Sequence, residues 1–76
     1  MDQGKETYGV SNLEYDLVMT LGNLLQGEEA LAKYQRDAEQ AGDQECAQVF
    51  QTIRDNNRTS VGQVRQALAR HLGGNT

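Results

Sequence analysis

The chain has 76 residues, a formal net charge of −4, one cysteine and no proline, so it forms one domain at most and has no internal disulfide to stabilise it. The acidic balance disfavours nucleic acid as a partner, because phosphate binding requires a cationic surface, and no run of about 18 apolar residues predicts a membrane span. The single cysteine, together with an N-terminus that lacks a basic and apolar leader, favours a cytoplasmic location.

Residues 1–10 are polar, contain two glycines and show no periodicity, which predicts a flexible N-terminal arm. The sequence Ser-Asn-Leu-Glu at positions 11–14 then has the spacing of a capping box. In this motif the Ser11 hydroxyl accepts a hydrogen bond from the Glu14 amide, and the Glu14 carboxylate accepts one from the Ser11 amide. We therefore predict a helix over residues 12–41.

This first helix carries an apolar stripe whose members alternate steps of four and three residues from Leu13 to Ala41. Extra apolar residues widen the stripe in its first half, which is typical of a helix that packs against both its neighbour in the chain and a second subunit. Gly22 and Gly27 each cost helix stability. A continuous helix and a break at either glycine are both compatible with the pattern.

Gly42 stands where a left-handed residue would end the first helix, and Asp43 is a good N-cap for a second helix over residues 44–72. A second stripe runs from Cys46 through Phe50 and Ile53 to the end of this helix, so we expect Cys46 to be a small buried apolar residue and not a reactive thiol. Residues 73–76, which begin with two glycines, are predicted to form a disordered tail.

Two long helices joined by the turn at residues 42–43 predict an antiparallel hairpin that belongs to the all-α class. Because two helices cannot enclose a core, we expect the hairpins to dimerise into a four-helix bundle. The predicted homodimer interface consists of Leu17, Val18, Leu21, Leu24, Leu25, Val61, Val64 and Leu68.

A polar layer is predicted halfway along the hairpin. Antiparallel pairing about the turn joins positions whose numbers sum to about 85, so Glu28 lies level with Asn57, and Ser60 follows one turn later. One hypothesis is that this layer fixes the register of the bundle. The other is that it binds a ligand, with Glu28 as the candidate for a metal contact.

Three arginines, Arg54, Arg58 and Arg65, share one face of the second helix. We interpret this face as solvated. The alternative is that it docks an acidic or phosphate-bearing partner.

Several packing positions resemble the first helix pair of the ferritin-like superfamily, in particular its rubrerythrin branch: the segment Gly-Glu-Glu-Ala-Leu-Ala-Lys-Tyr at 27–34, then Ala38, Ala41, Gly42, Ala47 and Phe50. The resemblance implies a four-helix bundle and, in the family, two irons held by a glutamate and a Glu-x-x-His motif. Aligned on Gly42 and Phe50, those ligand positions fall on Leu24, Asn57 and Ser60. All three ligands are therefore replaced, and the resemblance implies the scaffold without the iron chemistry.

The sequence has no Gly-rich phosphate loop, no Ser-His-Asp set and no Cys-x-x-Cys pair. We therefore expect a non-enzymatic protein without a cofactor, acting as a homodimeric structural or protein–protein interaction module. The alternative is a metal- or small-ligand-binding ferritin-like protein that uses the polar layer around Glu28.

Overall fold

The computed structural model describes residues 9–73, which form two α-helices, α1 (Asn12–Gln40) and α2 (Gln44–Gly73). The helices pack side by side as an antiparallel hairpin, about three times as long as it is wide, with extents of 51 × 20 × 18 Å. No strand occurs within this range. The predicted all-α hairpin is confirmed, whereas the N-terminal arm over residues 1–8 and the tail from residue 74 onward lie outside the described residues.

Helix α1 begins with the predicted capping box. The Glu14 amide donates to the Ser11 hydroxyl at 3.1 Å, and the Ser11 amide donates to the Glu14 carboxylate at 3.2 Å. These two bonds satisfy amide groups that the first turn of a helix leaves without a partner. The helix then continues through Gly22 and Gly27 without a break, so the continuous alternative is the one that the structure adopts.

The turn between the helices is a Schellman motif that depends on one glycine. Gly42 has a φ of +76°, the left-handed conformation that residues with a β-carbon rarely adopt. Its amide donates to the Glu39 carbonyl at 3.1 Å, and the Asp43 amide donates to the Ala38 carbonyl at 2.9 Å. Asp43 then caps α2 by accepting from the Cys46 amide at 2.9 Å. A three-residue link, residues 41–43, therefore ends one helix and starts the next.

The most buried side chains of the described residues lie near the turn, where Ala38 and Ala47 are 8% and 5% exposed. Next to them the rings of Tyr34 and Phe50 lie 5.9 Å apart. Halfway along the hairpin, the space for a β-carbon on Gly27 is 3.9 Å from the Asn57 amide nitrogen. These pairs set the register of the hairpin along its length.

The prediction that Cys46 is buried is wrong, since the structure places this thiol in solvent. Ala47, the next residue, takes the inward position instead. One residue rotates a side chain by about 100° around a helix, so Ala47 facing α1 turns Cys46 away. Ile53, on the same predicted stripe as Cys46, is 40% exposed for a related reason, because Phe50 and Arg54 lie nearer to α1.

Candidate interaction surface

A chain of polar side chains crosses between the helices near the middle of the hairpin. The Arg54 Nε donates to Glu28 Oε2 at 2.7 Å, and another guanidinium nitrogen of Arg54 lies 2.7 Å from the same oxygen. A third donates to Gln35 Oε1 at 2.8 Å. The chain continues from the Gln35 amide to Gln51 at 3.0 Å and from Gln51 to Asp55 at 2.9 Å. Arg54 is therefore the centre of a polar network that links α1 to α2.

The interpretation of Arg54 as part of a solvated face is wrong. Its side chain is 20% exposed and that of Glu28 is 26% exposed. Arg54 lies one turn after Phe50, which faces α1, and its long side chain extends along the seam to reach Glu28. A basic and an acidic residue at nearly the same level of an antiparallel hairpin was the sequence signal for this pair.

The three residues of the predicted polar layer, Glu28, Asn57 and Ser60, are all half-buried. The observed bonds of Glu28 go to Arg54. Its second oxygen, Oε1, is buried and has no hydrogen-bond partner in the described part of the chain. Among residues 9–73 no three His, Cys, Asp or Glu side chains are grouped so as to hold a metal ion.

The eight predicted interface residues divide into two sets. Val18 and Leu25 are 52% and 50% exposed. The other six are half-buried within the hairpin: Leu17, Leu21, Leu24, Val61, Val64 and Leu68. The hairpin thus leaves two large side chains of the predicted interface almost as exposed as they would be on an isolated helix.

Apolar side chains lie on at least two surfaces of the hairpin. One lies near the turn and consists of Tyr34, Val49 and Ile53, which are 40–52% exposed; we call it the Tyr34 face. The other is a groove of about 570 Å³ at the end of the hairpin remote from the turn, and we call it the open-end groove. Its walls include Leu21 from α1 and Gly62, Arg65, Leu68, Ala69 and Leu72 from α2.

The periodicity of α2 places these two surfaces on opposite sides of the hairpin. Phe50 and Leu68 are 18 residues apart, which is about five helical turns, so they share one line along the helix. Val49 and Ile53 lie to one side of that line, whereas Gly62, Arg65 and Ala69 lie to the other. The hairpin therefore presents apolar surface in two directions.

Three arginines of α2, Arg58, Arg65 and Arg70, take part in no ion pair with any residue from 9 to 73. The ion pairs of this part of the chain are Arg54–Glu28 and the surface pair Lys33–Asp37 at 2.9 Å. On α1, the Glu29 carboxylate likewise has no ion pair with a described residue. Opposite charges are thus available on the two helices for a contact outside the hairpin.

No protein-family model matches the chain, and neither does any curated protein or solved structure. Within the described range, neither helix combines the length and the hydropathy that crossing a membrane requires. What the chain does must therefore be argued from its own surfaces.

Among residues 9–73, the groups with shifted pKa values are Asp43 and Cys46, at the start of α2. The hydrogen bond from the Cys46 amide lowers the pKa of Asp43 below its usual 3.8. The pKa of the Cys46 thiol is raised above its usual 9.0, because it donates a hydrogen bond to Asp43 and lies beside that negative charge. The thiol is exposed but remains protonated at neutral pH, which is the opposite of what a nucleophilic cysteine requires.

Proposed function

We propose that this chain is a small non-enzymatic helical-bundle protein that acts as a homodimeric protein–protein interaction or structural module. Two hairpins would pack into a four-helix bundle of the ferritin-like type. Each would bring one apolar side to the dimer and leave the other for a further protein. The proposal places the protein in the cytoplasm, in keeping with its single, unpaired cysteine.

The burial of the described residues carries this proposal. Ala38 and Ala47 are the buried hydrophobic residues, and none of the large side chains in this range is fully buried. Ten large hydrophobic residues are at least 40% exposed. Fully burying such a side chain contributes about 1.5–3 kcal/mol, so association that covers several of these half-exposed residues would add substantially to the stability of the hairpin.

Sedimentation equilibrium across micromolar to near-millimolar concentrations tests the proposal. The expected result is a dimer that dissociates on dilution, with helix content by circular dichroism falling as the monomer appears. A monomer that stays fully helical and resists urea at every concentration contradicts it, because the hairpin would then be stable with its apolar surfaces in water.

A second candidate is suggested by the buried, unpartnered Oε1 of Glu28. A metal ion or a small polar ligand at the central layer would satisfy this oxygen. The positive charge of Arg54, 2.7 Å from the other carboxylate oxygen, opposes a cation at this position. Metal analysis of protein purified without chelator distinguishes the two candidates: stoichiometric iron, manganese or zinc that is lost in Glu28→Gln would favour the second.

A further inference from the structure

The open-end groove contains a feature that the hairpin alone does not explain. Gly62, inside α2, has no atom within 4 Å of the place where a β-carbon would stand, and the same is true of Gly22 inside α1. A glycine within a helix costs about 0.5–1 kcal/mol relative to alanine. Packing between α1 and α2 gives no reason for either residue, since alanine would fit at both.

These two glycines stand at the same level of the hairpin. The Gly27–Asn57 approach joins positions whose numbers sum to 84, and the numbers 22 and 62 have the same sum. Gly62 borders the groove, and Leu21 borders it from α1. Gly22, one residue and about 100° further around α1, lies on the exposed outer side of that helix next to the groove. A helix lying across this side at this level could approach both backbones closely.

The α1 helix of a second copy has the side chains to occupy this position. Val18 and Leu25 are half or more exposed, and they lie three residues before and four residues after Leu21, so they project on the groove side. Glu29 continues the same line one turn after Leu25. The groove offers apolar walls from Leu68 and Leu72, the latter 63% exposed, and the unpaired charge of Arg65 at its edge.

We propose that the open-end groove is the dimer interface and that its occupant is α1 of a second copy of this chain. The contact is isologous: each copy inserts Val18 and Leu25 into the groove of the other, the helices cross at the level of Gly22 and Gly62, and Glu29 of each copy pairs with Arg65 of the other. This inference rests on the proposed homodimer and names the surface that forms it. The Tyr34 face, on the opposite side, then remains exposed in the dimer.

Alanine substitutions test whether a second copy's helix lies close to these glycines. They are expected to stabilise a hairpin whose groove is empty and to destabilise the proposed dimer. In a hairpin with nothing on the groove, Gly22→Ala and Gly62→Ala both stabilise the helices. In the proposed dimer each methyl group separates the crossing helices, and we expect the dimer Kd from sedimentation equilibrium to rise about tenfold or more. Gly27→Ala is the matched control: it also removes a helical glycine, but its β-carbon would face Asn57 within the hairpin, so it should not raise Kd.

Charge reversal tests the polar edge of the interface. We expect Arg65→Glu and Glu29→Arg to weaken the dimer separately, and the double variant that exchanges the two charges to recover most of the affinity. The three proteins are compared at low ionic strength, where an exposed ion pair contributes most. Recovery in the double variant identifies a direct contact, which a general loss of folding does not produce.

The outcomes separate this inference from the function on which it rests. One outcome is that the dimer Kd rises in a Val49→Ser/Ile53→Ser variant and does not change in the Gly62 and Arg65 variants. This result overturns the groove as the interface and leaves the homodimer intact. A monomer at every concentration overturns the homodimer itself. A raised Kd in Gly62→Ala with rescue in the charge exchange supports both.

Discussion

The two ends of the hairpin are stabilised in different ways. At the turn, Ala38 and Ala47 bring the helices close together, and the capping bonds of Gly42 and Asp43 fix the direction of the chain. At the open end, larger residues such as Leu21, Leu68 and Leu72 line a groove. The closed end, at the turn, has its buried alanines and both caps within one chain and exposes the Tyr34 face on one side, whereas the open end has a groove that one chain leaves unfilled.

The largest expected effect of a single substitution is at the closed end. Ala47→Leu places three extra carbon atoms where the helices have almost no free space, so we expect a loss of about 1–3 kcal/mol in the free energy of unfolding. Urea denaturation monitored by circular dichroism measures this loss. Ala41→Leu, at an exposed position of the same end, is the control and should change stability little. Equal effects of the two variants would show that the ends do not differ in packing.

The polar network at the middle is the boundary between the ends, and Arg54 is its centre. Arg54→Leu leaves the half-buried Glu28 carboxylate without its partner, and we expect a cost of about 1–3 kcal/mol. The double variant Glu28→Leu/Arg54→Leu should recover much of the loss, because two apolar side chains need no partner. A double-mutant cycle from urea denaturation gives the coupling energy. If the double variant is less stable than Arg54→Leu alone, Glu28 is satisfied by other groups.

A smaller effect, a gain in the free energy of unfolding, is expected for a substitution in α1 at the level of the polar network. Gly27→Ala removes a flexible residue from the helix interior, and the new methyl group would lie 3.9 Å from the Asn57 amide nitrogen, an ordinary contact distance. We expect the stability of the hairpin to rise by about 0.5–1 kcal/mol, which can only tighten the dimer and not weaken it. Thermal unfolding at one fixed protein concentration measures the change. A lower melting temperature would mean that the helices are closer at Gly27 than the Asn57 distance implies.

The smallest effect concerns the charge of the capping residue in the turn. Because folding lowers the pKa of Asp43 below its usual 3.8, its ionised form stabilises the hairpin above that pH. The stabilisation is lost as the pH falls through the lowered pKa. Asp43→Asn keeps a capping oxygen but removes the titration. We therefore expect this variant to have a flatter stability profile in acid, which melting temperatures measured from neutral pH down to strong acid will show.

The same variant changes the reactivity of Cys46. Asp43 raises the pKa of the Cys46 thiol by accepting its hydrogen bond and by its charge, so Asp43→Asn should lower that pKa and increase the thiolate fraction at neutral pH. Alkylation by iodoacetamide at fixed pH should accordingly be faster in the variant. An unchanged rate would mean that the thiol and the carboxylate do not interact in solution.

Much of this fold could be predicted from the sequence because its signals are local. The capping box at Ser11 and the glycine at position 42 act through bonds to residues three to five positions away, so their spacing is visible in the chain itself. The direction in which Cys46 and Arg54 point depends on how α2 rotates against α1. That rotation is set by the close approach of Ala38 and Ala47, which no local pattern encodes.

The candidate site could likewise be predicted only in part, because it depends on how the two helices pack. The sequence indicates a polar layer around Glu28, Asn57 and Ser60, and it also indicates an arginine face, but it treats the two as separate. Only the packed hairpin brings Arg54 to Glu28. The groove could not be predicted either, because it depends on the separation of two helices at one end, whereas apolar periodicity reports only that each helix has a side to cover.

The left-handed glycine at position 42 has a consequence for the topology of the whole molecule. Two long helices are separated here by a three-residue link, and both flanking segments are helical. A residue with a β-carbon at this position would be strained in the turn but unstrained in a continuous helix. Such a variant would gain by straightening into one rod of roughly 90 Å and pairing its stripes with those of another rod. The left-handed φ of Gly42 thus favours the hairpin over a straightened helix that would pair with other copies.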